Sequence, residues 1–148
     1  MEGIDLRPAD RTDPAVLALT TAQQAELNAI YGEDQPLVAL HPEIEFILLS
    51  IESTPVGCVG LQPISPGLGE LKRMYVAPSS RGRGLSRLLL TEVESLARTK
   101  HLSTLRLETG THQHEAIALY TRNGYTPTPP YPPFETEPAS RCFAKNLS

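Results

Sequence analysis

The sequence has little cysteine: Cys58 and Cys142 are the only two in 148 residues. Each lies in a strand-like stretch, where a free cysteine usually packs as a small hydrophobic side chain. A disulfide between them is the alternative, but two reduced thiols in a cytoplasmic protein fit this cysteine content better. The four histidines and two cysteines show none of the paired spacings of a structural zinc site, so we expect no metal.

Long apolar runs and an excess of positive charge are also absent. No segment approaches the run of about 18 apolar residues that crosses a membrane, and the N-terminal segment MEGIDLRPAD lacks the apolar core of a signal peptide. The formal net charge of −4 disfavours sequence-independent nucleic-acid binding, which requires a basic surface. We therefore expect neither a membrane nor a nucleic-acid partner, and a single domain over residues 1–148.

The N-terminal region predicts one short strand followed by one helix. Ile4–Arg7 alternates as a strand does, and Pro8 is expected to end it. Asp13 followed by proline is typical of a helix N-cap with proline in the first turn. Apolar residues then recur on roughly one face as far as Tyr31, where glycine follows as a helix stop.

Later segments predict further strands, one long amphipathic helix and one short helix. Apolar positions from Leu85 to Ala97 follow i, i+3, i+4 spacing, the strongest helix pattern in the chain, and Glu115–Asn123 forms the short helix. Residues 63–69 read as a turn, and the proline-rich residues 127–138 as an extended loop. The predicted strands are Glu45–Ile51, Pro55–Leu61, Glu70–Val76, Leu102–Leu107 and Arg141–Leu147.

The segment from Glu70 to Leu90, ELKRMYVAPSSRGRGLSRLLL, joins a strand to a helix through a basic turn with two glycines. The N-terminus of a helix presents free backbone N–H groups and a partial positive charge, so this turn is suited to an anion. Gly82 and Gly84 allow the backbone to approach phosphate oxygens closely. The alternative is that the turn is only a solvated connection between a strand and a helix.

Two common phosphate-binding designs do not fit this turn. A P-loop requires Lys and then Ser or Thr after its last glycine, but Gly84 is followed by Leu85. A dinucleotide fingerprint requires a third glycine where Arg87 stands. The turn instead resembles the CoA pyrophosphate loop of the GNAT acetyltransferase family, Arg/Gln-x-x-Gly-x-Gly/Ala, with Arg81 at its first position and Ser86 at its last.

The resemblance to the GNAT family extends downstream. Leu105–Tyr125, LRLETGTHQHEAIALYTRNGY, is similar to the second conserved block of the family, a strand followed by a helix with Ala-x-x-Leu-Tyr and then Gly-Tyr. The resemblance implies an α/β (α+β) fold: a mixed, mostly antiparallel central sheet of six or seven strands, flanked by helices on both faces. The two strands joined by the long helix should be the parallel exception, because such a crossover needs a dozen or more residues.

The resemblance also implies an activity. GNAT enzymes are acetyl-CoA-dependent N-acetyltransferases, and we expect transfer of the acetyl group to a primary amine of a small molecule or peptide by direct attack in a ternary complex. Acetyl-CoA is then the cosubstrate. The alternative is a CoA-binding sensor or interaction module without turnover, and a homodimer is left open. The implied cofactor-binding residues are Met74, Tyr75, Val76, Arg81, Gly82, Arg83, Gly84, Leu85, Ser86, Arg87 and Gln113, the last standing where the family often has asparagine.

Catalytic roles follow from the same resemblance. Tyr120 matches the tyrosine that donates a proton to the departing sulfur, and the alternative role is that of a core aromatic residue. Glu70 stands where some members carry a glutamate base, and its alternative is a solvated carboxylate at a sheet edge. Glu108 is the second candidate base, and water is a further candidate for an amine that is already neutral. Histidine exchanges protons near neutral pH, but we expect His112 and His114, at the start of a helix, to face solvent.

The acceptor pocket is the least specified part of the sequence. Loops commonly carry specificity while a scaffold positions them. His41 and the aromatic, proline-rich stretch around Tyr131 and Phe134 are candidates for shaping this pocket. The alternative is that these prolines only stiffen a hairpin.

Overall fold

A computed structural model describes residues 3–148 as one seven-stranded sheet with three α-helices. A short 3₁₀ turn at Pro78–Ser80 precedes the second helix. The elements are β1 Ile4–Asp10, α1 Pro14–Tyr31, β2 Glu45–Ile51, β3 Thr54–Ser65, β4 Leu68–Val76, α2 Leu85–Thr99, β5 Thr104–Gly110, α3 His114–Arg122, β6 Thr126–Pro127 and β7 Ser140–Asn146.

The strand order is β1-β2-β3-β4-β5-β7-β6. All neighbouring pairs are antiparallel except β4 and β5, which are parallel and are joined by α2. The predicted sheet is therefore confirmed, including the position of its parallel pair.

Helices cover both faces of the sheet, as predicted. Neighbouring residues of a strand point to opposite faces, so β2 contributes to two separate apolar clusters. Phe46 and Leu48 pack with Val16 and Leu19 of α1. On the other face, residues from α2, α3 and β2 pack together, among them Leu85, Leu89, Val93, Ile117, Ile47 and Leu49.

The boundaries of α1 follow the predicted signals. The Asp13 carboxylate accepts a hydrogen bond of 2.8 Å from the backbone N–H of Ala15, and Pro14 occupies the first turn. Gly32 ends the helix in the left-handed region with φ 63°. These local signals suffice because each is satisfied within a few residues of the chain.

Several predicted strand boundaries are wrong, and the strand predicted at Leu102–Leu107 lies at Thr104–Gly110. β1 continues through Pro8 to Asp10, with Pro8 opposite Ile47. β1 is an edge strand with one neighbour, so a residue without an N–H is tolerated where that group would face away from the sheet. The predicted turn over residues 63–69 is mostly strand, because β3 runs to Ser65 and the hairpin closes at Pro66 and Gly67.

A buried polar cluster fastens α2 to the C-terminal strand. The Tyr125 hydroxyl donates a hydrogen bond of 2.8 Å to Glu94, and the Lys145 ammonium lies 3.1 Å from the same carboxylate. Burial first, and then the hydrogen bond to Glu94, raise the pKa of Tyr125, so its hydroxyl stays a donor. Removing Glu94 would leave the buried Tyr125 hydroxyl and the half-buried Lys145 ammonium without this acceptor.

We expect Glu94→Ala to lower the free energy of unfolding by about 1–3 kcal/mol, the range for a buried group left unsatisfied. Urea unfolding followed by circular dichroism measures this difference. Glu92→Ala is the matched control, since Glu92 is exposed on the same helix. Equal loss in both variants would show that the cluster adds nothing beyond helix propensity.

Candidate active site

A cleft opens where β4 and β5 separate. The two strands pair only at Leu68–Glu70 and Thr104–Arg106, although β4 continues to Val76 and β5 to Gly110. The resulting cleft has a volume of about 1880 Å³ and is lined by α1, β4, the glycine turn, the end of β5 and α3. Beyond Glu70, the side of β4 that faces the cleft carries backbone groups without a partner strand.

A bulge distorts β4 within this cleft. Tyr75 lies opposite Cys58, whereas Lys72 lies opposite Gly60, so β4 contains one more residue than β3 over this stretch. Arg73 adopts φ 57°, an uncommon conformation for a residue with a side chain. α1 supports the bulge, because the side-chain amide of Gln23 donates a hydrogen bond of 2.9 Å to the Met74 carbonyl.

The glycine turn presents an open helix N-terminus to the cleft. Gly82 and Gly84 have φ of 79° and 76°, and a Cβ at either position would meet no protein atom within 4 Å. Gly84 is the N-cap of α2, and it supplies no side chain to bond the free N–H groups. The first turn of α2 contains no acidic residue. Backbone donors with empty space in front of them fit a phosphate group.

The arginines of the turn have different surroundings. The Arg81 guanidinium donates 2.8 Å to the Val76 carbonyl and 2.9 Å to both Glu26 oxygens, so it joins the turn to α1. Arg83 and Arg87 are exposed, and within residues 3–148 neither forms an ion pair. Arg81 therefore positions the turn, which the sequence expectation of direct phosphate contact did not include.

The other expected cofactor residues border the cleft. Met74, Tyr75, Val76, Leu85 and Ser86 line it along β4 and the first turn of α2. Gln113 precedes α3, and its side-chain oxygen accepts a hydrogen bond of 2.8 Å from the backbone N–H of Gly110.

Tyr120 is a core aromatic residue that also reaches the cleft. It is 4% exposed and packs in the apolar cluster below α2, with its ring edge-on to Tyr125 at 5.7 Å between centroids. It also lines the cleft. Burial raises the pKa of Tyr120, so the phenol remains protonated throughout the neutral range.

Glu70 is not a solvated edge carboxylate. It is 5% exposed, and its two oxygens lie 3.1 Å from the Arg106 Nε and 3.3 Å from the Lys72 ammonium. Arg106 was not singled out from the sequence. The contact joins residues 36 positions apart in two parallel strands, so it depends on the register of those strands. Strand alternation within β5 predicts only that Arg106 points to the same face as Glu108.

Glu108 is a carboxylate with a different environment. It lines the cleft and accepts a hydrogen bond of 2.7 Å from the Ser140 hydroxyl. Burial is the main cause that raises the pKa of Glu108, the Ser140 hydrogen bond opposes it, and the charge of Glu70 adds to the rise.

The three candidate histidines are exposed and line the cleft. His112 stacks on Tyr31 with 5.0 Å between ring centroids, and His41 Nδ1 accepts a hydrogen bond of 3.0 Å from the Glu43 N–H. His114 begins α3. The expectation that the histidines of the α3 start face solvent is confirmed.

The proline-rich segment reaches the cleft through its aromatic residues. Tyr131 is buried, its ring lies 3.8 Å from the Arg106 guanidinium carbon, and its hydroxyl has no hydrogen-bond partner among residues 3–148. Phe134 meets Tyr131 edge-on at 5.7 Å and lines the cleft. The segment therefore does more than stiffen a hairpin, because it closes one side of the Glu70–Arg106 pair.

Residues 3–148 contain no group of three His, Cys, Asp or Glu side chains that could hold a metal ion. Over the same residues, no helix is long and apolar enough to cross a membrane. Cys58 and Cys142 are both buried and unpaired.

Comparison with known proteins identifies the family. Residues 13–125 match the Acetyltransferase (GNAT) family. An Azospirillum brasilense protein named IAA acetyltransferase is 39% identical over 132 residues, covering 82% of this chain and 86% of its own.

Solved structures share the fold over nearly the whole chain. A Klebsiella pneumoniae protein described as a proposed acyl-CoA N-acyltransferase is 36% identical, with a TM-score of 0.87 and 98% of each chain covered. An Elizabethkingia anophelis GNAT acetyltransferase with acetyl-CoA bound has a TM-score of 0.74 at 20% identity, with 99% of each chain covered. The family match, the curated relative and the sheet with its opened β4–β5 pair agree, and the chain belongs to the GNAT family of acetyltransferases.

Proposed function

We propose that this protein transfers the acetyl group of acetyl-CoA to a primary amine of a small molecule or peptide, by direct attack in a ternary complex. The observation that carries the proposal is one cleft that brings together the open N-terminus of α2, the unpaired stretch of β4, Tyr120 and Glu108.

The glycine turn and β4 form the acetyl-CoA side of the cleft. The free N–H groups at the start of α2 suit the pyrophosphate, and exposed Arg83 and Arg87 add positive charge. The carbonyls of Met74 and Val76 are bonded by Gln23 and Arg81, and the other backbone groups of residues 74–76 that β5 leaves unpaired suit the amides of the pantetheine arm. The Elizabethkingia acetyltransferase, which shares this fold, has acetyl-CoA bound, and this supports acetyl-CoA as the cosubstrate. Bound there, acetyl-CoA supplies an activated acyl group.

Tyr120 acts on the leaving sulfur as a hydrogen-bond donor. A thiol ionises near pKa 8.5 and tyrosine near 10, and burial raises the pKa of Tyr120 further. Complete proton transfer from Tyr120 to a thiolate is therefore uphill. A donated hydrogen bond to a developing negative charge is favourable, since such charge-assisted bonds are about twice as strong as neutral ones.

Glu108 is better placed than Glu70 to accept a proton from the amine. Both Glu70 oxygens are engaged by cations, and proton uptake would break these contacts. Glu108 has one hydroxyl partner and no ion pair within residues 3–148. Its raised pKa makes it a stronger base than an ordinary carboxylate. Glu70 then positions Arg106 and, through it, the ring of Tyr131.

The acceptor is a primary amine of a small molecule or peptide. Glu108 on the cleft wall suits a protonated amine, and Phe134 gives the same wall an apolar surface. The IAA acetyltransferase of Azospirillum brasilense, which matches 82% of this chain, supports a small-molecule acceptor.

The glycine turn provides the first test. Gly84→Ala should weaken acetyl-CoA binding about tenfold or more in calorimetry, because the new Cβ enters the space in front of the free N–H groups. Gly32→Ala is the matched control: Gly32 also has a positive φ and open space, but it ends α1 and does not line the cleft. Equal affinity in the two variants would remove the turn from the acetyl-CoA site.

Tyr120→Phe should lower kcat about 10- to 100-fold with little change in acetyl-CoA affinity, since the hydroxyl acts on the departing sulfur. Release of CoA thiol under single-turnover conditions measures the chemical step. Tyr125→Phe is the control, because its hydroxyl bonds Glu94 rather than a ligand. It should lower stability and keep kcat. A Tyr120→Phe enzyme with unchanged single-turnover rate would assign Tyr120 to core packing.

The two carboxylates are separated by their pH–rate profiles. A base works only when deprotonated, so the rate should fall as pH drops through the raised pKa of Glu108. Glu108→Gln should lower kcat about 10²- to 10⁴-fold near neutral pH and remove this acid limb. Its deficit should shrink at high pH, where more of the amine arrives neutral. Glu70→Gln should keep the limb, and the opposite result would make Glu70 the base.

A further inference from the structure

Arg73 is a half-buried cation on the cleft wall without a carboxylate partner. No Asp or Glu of residues 3–148 lies within 4.0 Å of its guanidinium nitrogens. Its contacts are two neutral oxygens of α1: Nη1 lies 3.4 Å from the Gln23 amide oxygen and 3.2 Å from that of Gln24. Nε and Nη2 remain uncommitted within the same residues. Arg73 is half-buried, and this burial lowers the pKa of its guanidinium.

The β4 bulge explains how this cation reaches its position. In a regular strand, neighbouring side chains point to opposite faces. The additional residue of the bulge breaks this alternation. Arg73 therefore contacts α1 and lies on the same face of the sheet as Tyr75. Leu71 and Met74 pack on the opposite face, against α2. Arg73 itself has the uncommon φ of 57°, and its side chain hydrogen-bonds only the amide oxygens of Gln23 and Gln24 among residues 3–148.

Carboxylates of the cleft wall have partners other than Arg73. Glu26 pairs with Arg81, and Glu108 accepts from the Ser140 hydroxyl. Glu70 is already engaged by both Lys72 and Arg106. A partly desolvated guanidinium with free donors is stabilised most by a bidentate anion of matching planar shape.

We propose that Arg73 binds a carboxylate of the acceptor, so that the acceptor is an amino acid or another amine that carries a carboxylate. This inference rests on the proposed function and names the acceptor class of the same cleft. The carboxylate binds Arg73 through its uncommitted guanidinium nitrogens, and the amine of the same molecule is directed toward Glu108.

The phosphates of acetyl-CoA are a less suitable partner for Arg73. They are accounted for by the free N–H groups of the glycine turn at the start of α2. Arg73 instead contacts α1, the helix whose apolar residues Leu27 and Ile30 line the cleft. Gln23 is fixed by its bond to the Met74 carbonyl, so its oxygen holds the guanidinium in place without neutralising it.

The test uses acceptors in matched pairs. Glycine, β-alanine, 4-aminobutyrate and phenylalanine are each compared with the corresponding carboxamide, with wild-type, Arg73→Gln and Arg73→Lys proteins. Thiol release gives kcat/KM for each acceptor. Calorimetry on CoA-saturated protein gives affinity without turnover. Urea unfolding of each variant and calorimetry with acetyl-CoA show whether the fold and cosubstrate site are retained.

At least one carboxylate acceptor should exceed its carboxamide in kcat/KM and in affinity by about 10- to 100-fold, the size of a charge-assisted pair. Arg73→Gln should abolish this preference while leaving the carboxamide and acetyl-CoA unaffected. Arg73→Lys should restore part of it, because the charge returns without the planar fork. Intrinsic reactivity would favour the carboxamide of each pair, because a carboxamide lowers the basicity of a neighbouring amine and leaves more of that amine neutral.

Acetyl-CoA binding and amine turnover without a carboxylate preference would overturn this inference and leave the proposed function intact. Carboxylates that neither bind nor react would overturn it as well, and so would an equal loss for both members of a pair in Arg73→Gln. Failure of the wild-type protein to bind acetyl-CoA would instead overturn the proposed function and, with it, this inference.

Discussion

The backbone ladder between β4 and β5 stops after Glu70 and Arg106, and the cleft exists because these hydrogen bonds are not made further along. Unpaired backbone groups inside a protein are unfavourable unless a partner is provided. α1 provides one such partner, because Gln23 bonds the Met74 carbonyl at the bulge. Arg81 provides another through its bond to the Val76 carbonyl. The groups left over stay open toward the space in which a ligand of amide character fits. The gap in the sheet is thus a binding surface made of main chain, and the side chains around it adjust what it binds.

Electrostatics divides the cleft into regions with separate tasks. The turn before α2 has backbone donors and exposed arginines, and it needs no buried charge. Deeper in the cleft, Glu70 is neutralised by Lys72 and Arg106, and Tyr131 covers the latter. Glu108 on the same face has only a hydroxyl partner. Glu70 and Glu108 each lie near one end of a strand. They differ in chemistry because their hydrogen-bond and ion-pair partners come from different strands.

The sequence was sufficient for features whose causes are local. The cap and stop of α1, the amphipathic pattern of α2 and the glycine turn all depend on residues within a few positions, and the structure confirms each. Pro8 and the β3–β4 hairpin were misjudged because edge position and strand pairing override local turn preference. The contacts of Glu70 with Arg106 and of Arg81 with Glu26 join residues 36 and 55 positions apart. No spacing pattern reports such pairs, so the burial of Glu70 and the bracing role of Arg81 required the structure.

The bond between Gln23 and the Met74 carbonyl has a consequence for how this fold can diversify. It replaces a ladder hydrogen bond, which makes α1 part of the sheet's own bonding and not an interchangeable cover. The coils over residues 33–44 and 128–139 border the cleft, and within residues 3–148 neither coil hydrogen-bonds β4. Insertions, deletions and new side chains in these coils can therefore alter the acceptor side while the bulge and the glycine turn keep their geometry. Laboratory evolution of new acceptors is best directed to those two coils, with Gln23 held constant.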